Sequence, residues 1–337
     1  MSCRHDRSMT VSLSSSDGFD HRRPGSPLPG GAHLDSTAHL MNRIGTQLAG
    51  RLSLVALDGS RRPAPPPLVL VAHGSRDPRA LATVRTLLDR VRELRPGLAV
   101  HLGHIELNEP LLADTLAALD ARDVPEAVLV PLLLGRGHHV KQDIPRTAAG
   151  ARVRTRVAAP LGPHPLLVET LYERLVEAGW RARMSDAQRR ASGVVLAAAG
   201  SRDPESALDT RATARQLAER LGVPVLPAYA SAAAPDVRTA VRALAGRGRH
   251  RVAVAGYFTA PGRFATQSAE AAPWLASAPL GAHPAMARLV LHRYDRARAA
   301  GETGLADTTA PATATEGTVP AAPATPAAPP PPARIPA

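Results

Sequence analysis

The chain has 337 residues, 44% hydrophobic and 21% charged, which suggests about two domains with real cores and excludes a wholly disordered protein. Its formal charge is +12, yet 40 of the 41 Lys+Arg residues are arginine and Lys141 is the single lysine. That reads as a codon habit rather than a clustered nucleic-acid face, and with 3% aromatics no nucleic-acid partner is expected. The single cysteine, Cys3, excludes an intrachain disulfide and any Cys-based zinc or iron–sulfur site within one chain.

Residues 1–67 are rich in Ser, Gly, Pro and Arg and read as a disordered leader, with only Leu48–Leu57 suggesting a short helix. Ser, Asp and His interrupt the start throughout, so no signal-peptide core is seen. No stretch approaches the ~20 apolar residues of a membrane span. A cytoplasmic protein is expected.

From residue 68 strand and helix alternate. Leu68–Ala72 is a continuous apolar run, as a strand buried on both faces requires. Gly74-Ser75-Arg76 turns the chain, and Asp77-Pro78 opens a helix to about Leu94. Asp accepts unpaired N–H groups there, and Pro fits the first turn, where no N–H is needed. Leu98–Ile105 reads as the second strand, Pro110–Ala121 as the second helix and Ala127–Leu134 as the third strand. Asp143-Ile144-Pro145 opens another helix, Val153–Ala158 is the fourth strand, and Pro165–Ala178 the closing helix. This order predicts an α/β, flavodoxin- or Rossmann-like unit: a parallel four-stranded sheet with helices on both faces.

The unit then returns. Val69–Pro78 recurs as Val195–Pro204, 126 positions on. Glu109-Pro110 aligns with Ala234-Pro235 and Gly137 with Gly262, at an offset of 125. Pro160–Pro165 recurs as Pro279–Pro284, at an offset of 119. Two tandem units are predicted, 68–183 and 193–300, joined by a polar linker, 184–192, and followed by a disordered Ala/Pro/Thr tail, 301–337. Such a duplication can stand in for a homodimer, so a monomer is expected.

In open parallel sheets, ligands bind beyond the carboxyl ends of the strands. His73 follows the first strand, Glu106 the second, and His138 and His139 the third, across Gly135-Arg136-Gly137. Two imidazoles and a carboxylate suit a divalent first-row ion, and with no thiolate they leave coordination positions open. In the second unit Ala199, Ser231 and Phe264 stand where His73, Glu106 and His139 stand in the first, while turn and cap residues remain. The candidate ligands are therefore not needed to build the fold.

Ala72-His73-Gly74-Ser75-Arg76-Asp77-Pro78, Glu106, and Gly137-His138-His139-Val140-Lys141-Gln142-Asp143-Ile144-Pro145 resemble the class II tetrapyrrole chelatases, the sirohydrochlorin chelatase group. The resemblance covers both units and neither tail. It implies a lyase that inserts Co²⁺ or Fe²⁺ into sirohydrochlorin with release of two protons, for cobalamin or siroheme, and binds the ion as substrate rather than as a resident cofactor. It also implies that the first unit is the active chelatase and the second a degenerate one. His73 and His139 resemble the family's metal-site histidines and Glu106 its acidic partner; His138 is the neighbouring twin. The C-terminal Cys-rich motif and histidine-rich stretch of some long cobalt members are not present.

Sirohydrochlorin carries carboxylates around its rim, so Arg76, Arg136, Lys141 and Arg146 are candidate substrate contacts, with Arg202 and Arg263 in related places in the second unit. His104, two residues before Glu106 on a strand, is read as packing, with a supporting role as the alternative. His164 and His283 recur in both units and read as turn residues before the closing helices, Ser75 and Asp77 as turn and cap residues, and Asp77 and Asp143 as orienting nothing beyond their helices. The alternative function is a metal carrier or sensor using the same His/Glu/His site without chelatase activity.

Overall fold

The computed structural model describes residues 64–306. The expected leader up to residue 63, with its helix around Leu48–Leu57, and the tail from residue 307 lie outside the described residues.

In the first half, β1 (Leu68–Ala72), β2 (Val100–His104), β3 (Glu126–Pro131) and β4 (Arg154–Val157) form a parallel sheet in the order β2-β1-β3-β4. Between them run α1 (Pro78–Leu94), α2 (Leu112–Asp120), a π-helical turn (His139–Asp143) continuing into α3 (Ile144–Ala149), and then α4 (Pro165–Glu177) after β4. β1 is wholly buried, and α1 turns Ala80, Val84, Leu87, Leu88 and Val91 inward at helical spacing. Asp77 caps α1 as expected, accepting from the Arg79 amide at 2.9 Å, with Pro78 in the first turn.

A short helix, α5 (Asp186–Ala191), occupies the expected linker, opens on a capping box from Ser185 and Gln188, and runs into β5 (Ser192–Ala198). The second half repeats the first: α6 (Pro204–Leu221), β6 (Val225–Tyr229), α7 (Val237–Ala245), β7 (Arg251–Tyr257), α8 (Arg263–Glu270), β8 (Leu275–Ala276) and α9 (Pro284–Ala306), with sheet order β6-β5-β7-β8, all parallel. The tail was expected from residue 301, but α9 runs on to Ala306. The end of the expected leader is also tied down: the Pro67 carbonyl accepts from the Val128 amide, and that of Pro66 from the Tyr294 hydroxyl.

Each sheet has helices on both faces, as predicted, but one helix of each set comes from the other half. α4 packs on β7 and α6 of the second half, and α9 on α1, β3 and β4 of the first. A single cluster of buried residues consequently draws on both halves, from Leu68, Leu70 and Leu171 to Leu196, Met286 and Tyr294. Arg95 pairs with Asp295 at 2.6 Å and the Tyr257 hydroxyl reaches the Leu134 carbonyl at 3.2 Å, both across the halves. The loops beyond β1 and β3 face those beyond β5 and β7, with Gly137 beside Ser201 and Gly262 beside Ser75.

Candidate functional site

The order β2-β1-β3-β4 reverses direction at β1, so the crevice lies beyond the carboxyl ends of β1 and β3. His73 leaves β1 and His139 opens the π-helical turn after β3; their ring centroids are 4.6 Å apart, edge to face.

Glu106 is brought to His73 by backbone geometry. The Ile105 and Glu106 amides donate to the carbonyls of Ala72 and His73, extending the β1–β2 ladder past its end. This approach requires Gly74: its φ is +101°, and a Cβ there would overlap the Glu106 carbonyl oxygen. The Asn108 side chain completes the loop by accepting from the Ser75 amide at 2.7 Å.

His139 is held differently. Ile144 donates to the His139 carbonyl, five residues back, and Pro145 has no N–H with which to continue an ordinary ladder. The wide turn brings Asp143 Oδ2 to 2.7 Å from His139 Nδ1, with Asp143 Oδ1 3.6 Å from His138 Nε2. Asp143 makes no capping bond and meets His139 instead, so the expectation that it orients nothing beyond its helix is corrected. A carboxylate only accepts, so Nδ1 of His139 is the donor in this pair, and in the neutral imidazole the lone pair is then on Nε2. His73 Nδ1 lies 3.2 Å from the Gly74 carbonyl, which selects the same tautomer. Two imidazoles side by side with free Nε2 donors can take a divalent ion.

Glu106 Oε1 lies 3.6 Å from His73 Nδ1, the side opposite the Nε2 donor. Among the described residues no group of three or more His, Cys, Asp or Glu side chains could hold an ion together. His73 thus meets His139 on one hand and Glu106 on the other, and the expected three-ligand set is not assembled. The His73, Glu106 and His139 side chains are 42%, 52% and 34% exposed, so the site is open to solvent. His138 is more exposed still, at 71%.

The expected substrate cations divide into two pairs. Arg76 and Arg146 are exposed, and their side chains make no hydrogen bond or ion pair among the described residues. Arg136 and Lys141 are instead engaged by carboxylates of the second half. Arg136 Nη2 lies 2.6 Å from Asp209, and Lys141 Nζ lies 2.6 Å from both Asp203 and Glu205. On the far side Arg202 is exposed, and Arg263 lies over the Phe264 ring at 5.0 Å.

His104 is buried with Nδ1 3.1 Å from the Pro110 carbonyl, and burial pushes its pKa down. It lines a cavity of about 100 Å³ with Asp143, Ile144 and Thr147, directly behind the His139–Asp143 pair. His164 and His283 cap α4 and α9, each accepting a backbone amide at Nδ1 at 3.2 Å.

Sequence reasoning missed Asp143 as the partner of His139, although the four-residue spacing was the available signal. It also missed Asp203, Glu205 and Asp209, for which no local signal existed.

The second half keeps the backbone of the site without its side chains. Gly200 has φ +92° and packs on the Ser231 carbonyl as Gly74 packs on that of Glu106. Ser231 donates its amide to Ala199 as Glu106 does to His73.

A family model described as CbiX matches residues 67–178 and again 193–297. A sirohydrochlorin cobaltochelatase of Methanococcoides burtonii is 27% identical over 123 residues, 33% of this chain and 94% of that protein. A sirohydrochlorin ferrochelatase of Bacillus subtilis is 26% identical over 177 residues, 51% of this chain and 65% of that one. Among solved structures, SirB from Bacillus subtilis with Fe3+ gives a TM-score of 0.58 at 23% identity, covering 70% of this chain and 96% of its own. At that identity the likeness speaks for the fold alone.

Proposed function

The chain belongs to the CbiX family, the chelatase family its motifs resemble, and from that premise we propose that it inserts a divalent metal ion, Co²⁺ or Fe²⁺, into sirohydrochlorin. The observation that carries this reading is the pair His73 and His139, 4.6 Å apart at the switch point of one sheet and replaced by Ala199 and Phe264 in the other. A chelatase must take up its ion and give it away again, and an open pair of imidazoles suits that better than a closed four-ligand cage.

The ion is held as substrate by Nε2 of His73 and His139. The macrocycle loses two N–H protons as the metal enters. Glu106, half exposed beside His73, accepts a proton or passes it to solvent. The rim carboxylates of the macrocycle meet Arg76 and Arg146 from the first half and Arg202 and Arg263 from the second. One chain supplies both facing sheets, so it acts as a monomer.

The test is anaerobic mixing of protein, sirohydrochlorin and Co²⁺ or Fe²⁺ with the absorption spectrum followed in time. His73→Ala and His139→Ala should each lower the enzyme-dependent rate by about two orders of magnitude or more. Substitutions at Ala199 or Phe264 should not remove the metal site. Rates like wild type in both histidine variants would sink the assignment. Metal binding with no insertion in the wild type would support the carrier reading instead.

A further inference from the structure

The start of α6, in the half that lacks the histidines, grips the segment that bears them. Lys141 Nζ lies 2.6 Å from Asp203 Oδ2 and 2.6 Å from Glu205 Oε2. Arg136 Nη1 lies 3.3 Å from Glu205, and its backbone amide and Nη2 reach Asp209 at 2.9 and 2.6 Å. Asp209 is buried, whereas Glu205 is part-exposed. Arg136 and Lys141 bracket His138 and His139 in sequence, so the histidine segment is held on both sides by one helix of the other half.

Acidic residues favour the first turn of any helix, because its dipole is positive there. That accounts for Asp203, whose twin Asp77 caps α1 in the same way. It also suits Glu205, in the first turn, but it does not account for Asp209, buried a turn further on, nor for the partners of these carboxylates. Where Glu205 and Asp209 stand on α6, α1 has Arg79 and Thr83. Where Arg136 and Lys141 stand, the second half has Pro261 and Thr266. The two halves approach each other by reciprocal contacts, Gly137 on Ser201 and Gly262 on Ser75, so the grip had two places in which to form. Among the described residues it exists only around the loop that carries the histidines.

We propose that Asp203, Glu205 and Asp209 are positioning residues, a clamp that acts through Lys141 and Arg136 to hold His139 in register with His73. The second half, which lacks the ligand side chains, thereby takes part in the chemistry of the first. The activity arm of this proposal rests on the chelatase reading above; its structural arm does not.

The experiment compares the full chain with Glu205→Gln, Lys141→Met and Lys141→Arg, and with Glu219→Gln, an exposed position on the same helix, as control. Backbone hydrogen exchange over residues 135–143 and Co²⁺ affinity without macrocycle are measured on each. Glu205→Gln and Lys141→Met should speed exchange in that segment by at least about tenfold and weaken Co²⁺ binding. Lys141→Arg should retain most of the protection, and Glu219→Gln should match wild type. In the insertion assay, kcat should fall with KM for sirohydrochlorin unchanged. Unchanged exchange in both disrupting variants overturns the clamp, and a raised KM at constant kcat with normal exchange assigns Lys141 to the substrate instead. Absence of insertion by the wild type would defeat the chelatase reading while the exchange data still judge the clamp.

Discussion

Asp143 links sequence and site through a single carboxylate. Preceding Ile144-Pro145, it stands at the opening of a helix, and on the π-helical turn its four-residue spacing from His139 brings the carboxylate to that ring. Its contribution is to set the imidazole tautomer and orientation, so Asp143→Ala should lower Co²⁺ affinity or insertion rate by about 10–100-fold. That loss should be smaller than for His139→Ala, and metal titration and the insertion assay check it. Gly74 works through the backbone. Gly74→Ala places a Cβ against the Glu106 carbonyl at a φ that L-residues avoid, and should cost at least about 1–3 kcal/mol in thermal or denaturant unfolding. Gly200→Ala should cost a similar amount, because Gly200 meets Ser231 in the same way. His73 and Glu106 were legible as strand-end residues. Their separation from a common three-ligand set was not, because sequence places a side chain at an edge without saying which ring nitrogen faces which neighbour.

The elements themselves were largely legible. β1, α1 and the start of α4 fall where apolar periodicity and the Asp-Pro and His-Pro openings put them. β2 and β3 are shorter than their apolar runs, since Leu98 and Leu132 are buried beside the strands without belonging to them. At the start of α4, His164 holds a proton-free Nδ1 toward the Leu166 amide. Burial, then Arg293 and His292 of α9, lower its pKa from 6.5 to about 4. The folded value lies below the unfolded one, so between these limits the unfolded chain binds the proton first. The cap's contribution is therefore complete above about pH 6.5 and is lost as pH falls toward about 4. His164→Asn keeps a capping acceptor without the titration, and should flatten the fall in stability across that window when denaturant midpoints are measured against pH.

The two halves form one body because each lends its closing helix to the other. Among the described residues no helix is long and apolar enough to cross a membrane. The long α9 packs on α1, α4, β3 and β4. Its buried residues, from Ala285 and Met286 to Tyr294, cover α1, β3 and β4 of the first half. A chain ended at Gly281 should therefore destabilise the first half, which donates none of α9. Circular dichroism should show a lower, broader melt and hydrogen exchange should show lost protection in β3 and β4. A first half that stays as protected as in the full chain would refute this dependence. The amino-acid order alone determined the duplicated βα architecture, the strand-end placement of His73, Glu106 and His139, and which half carries them, because local periodicity and internal repetition are written in one dimension. The tertiary structure alone decided which sheet each closing helix covers, and that Arg136 and Lys141 answer to carboxylates of the second half. An apolar stripe or a free charge specifies the kind of partner it needs, and two near-identical units offer that partner twice.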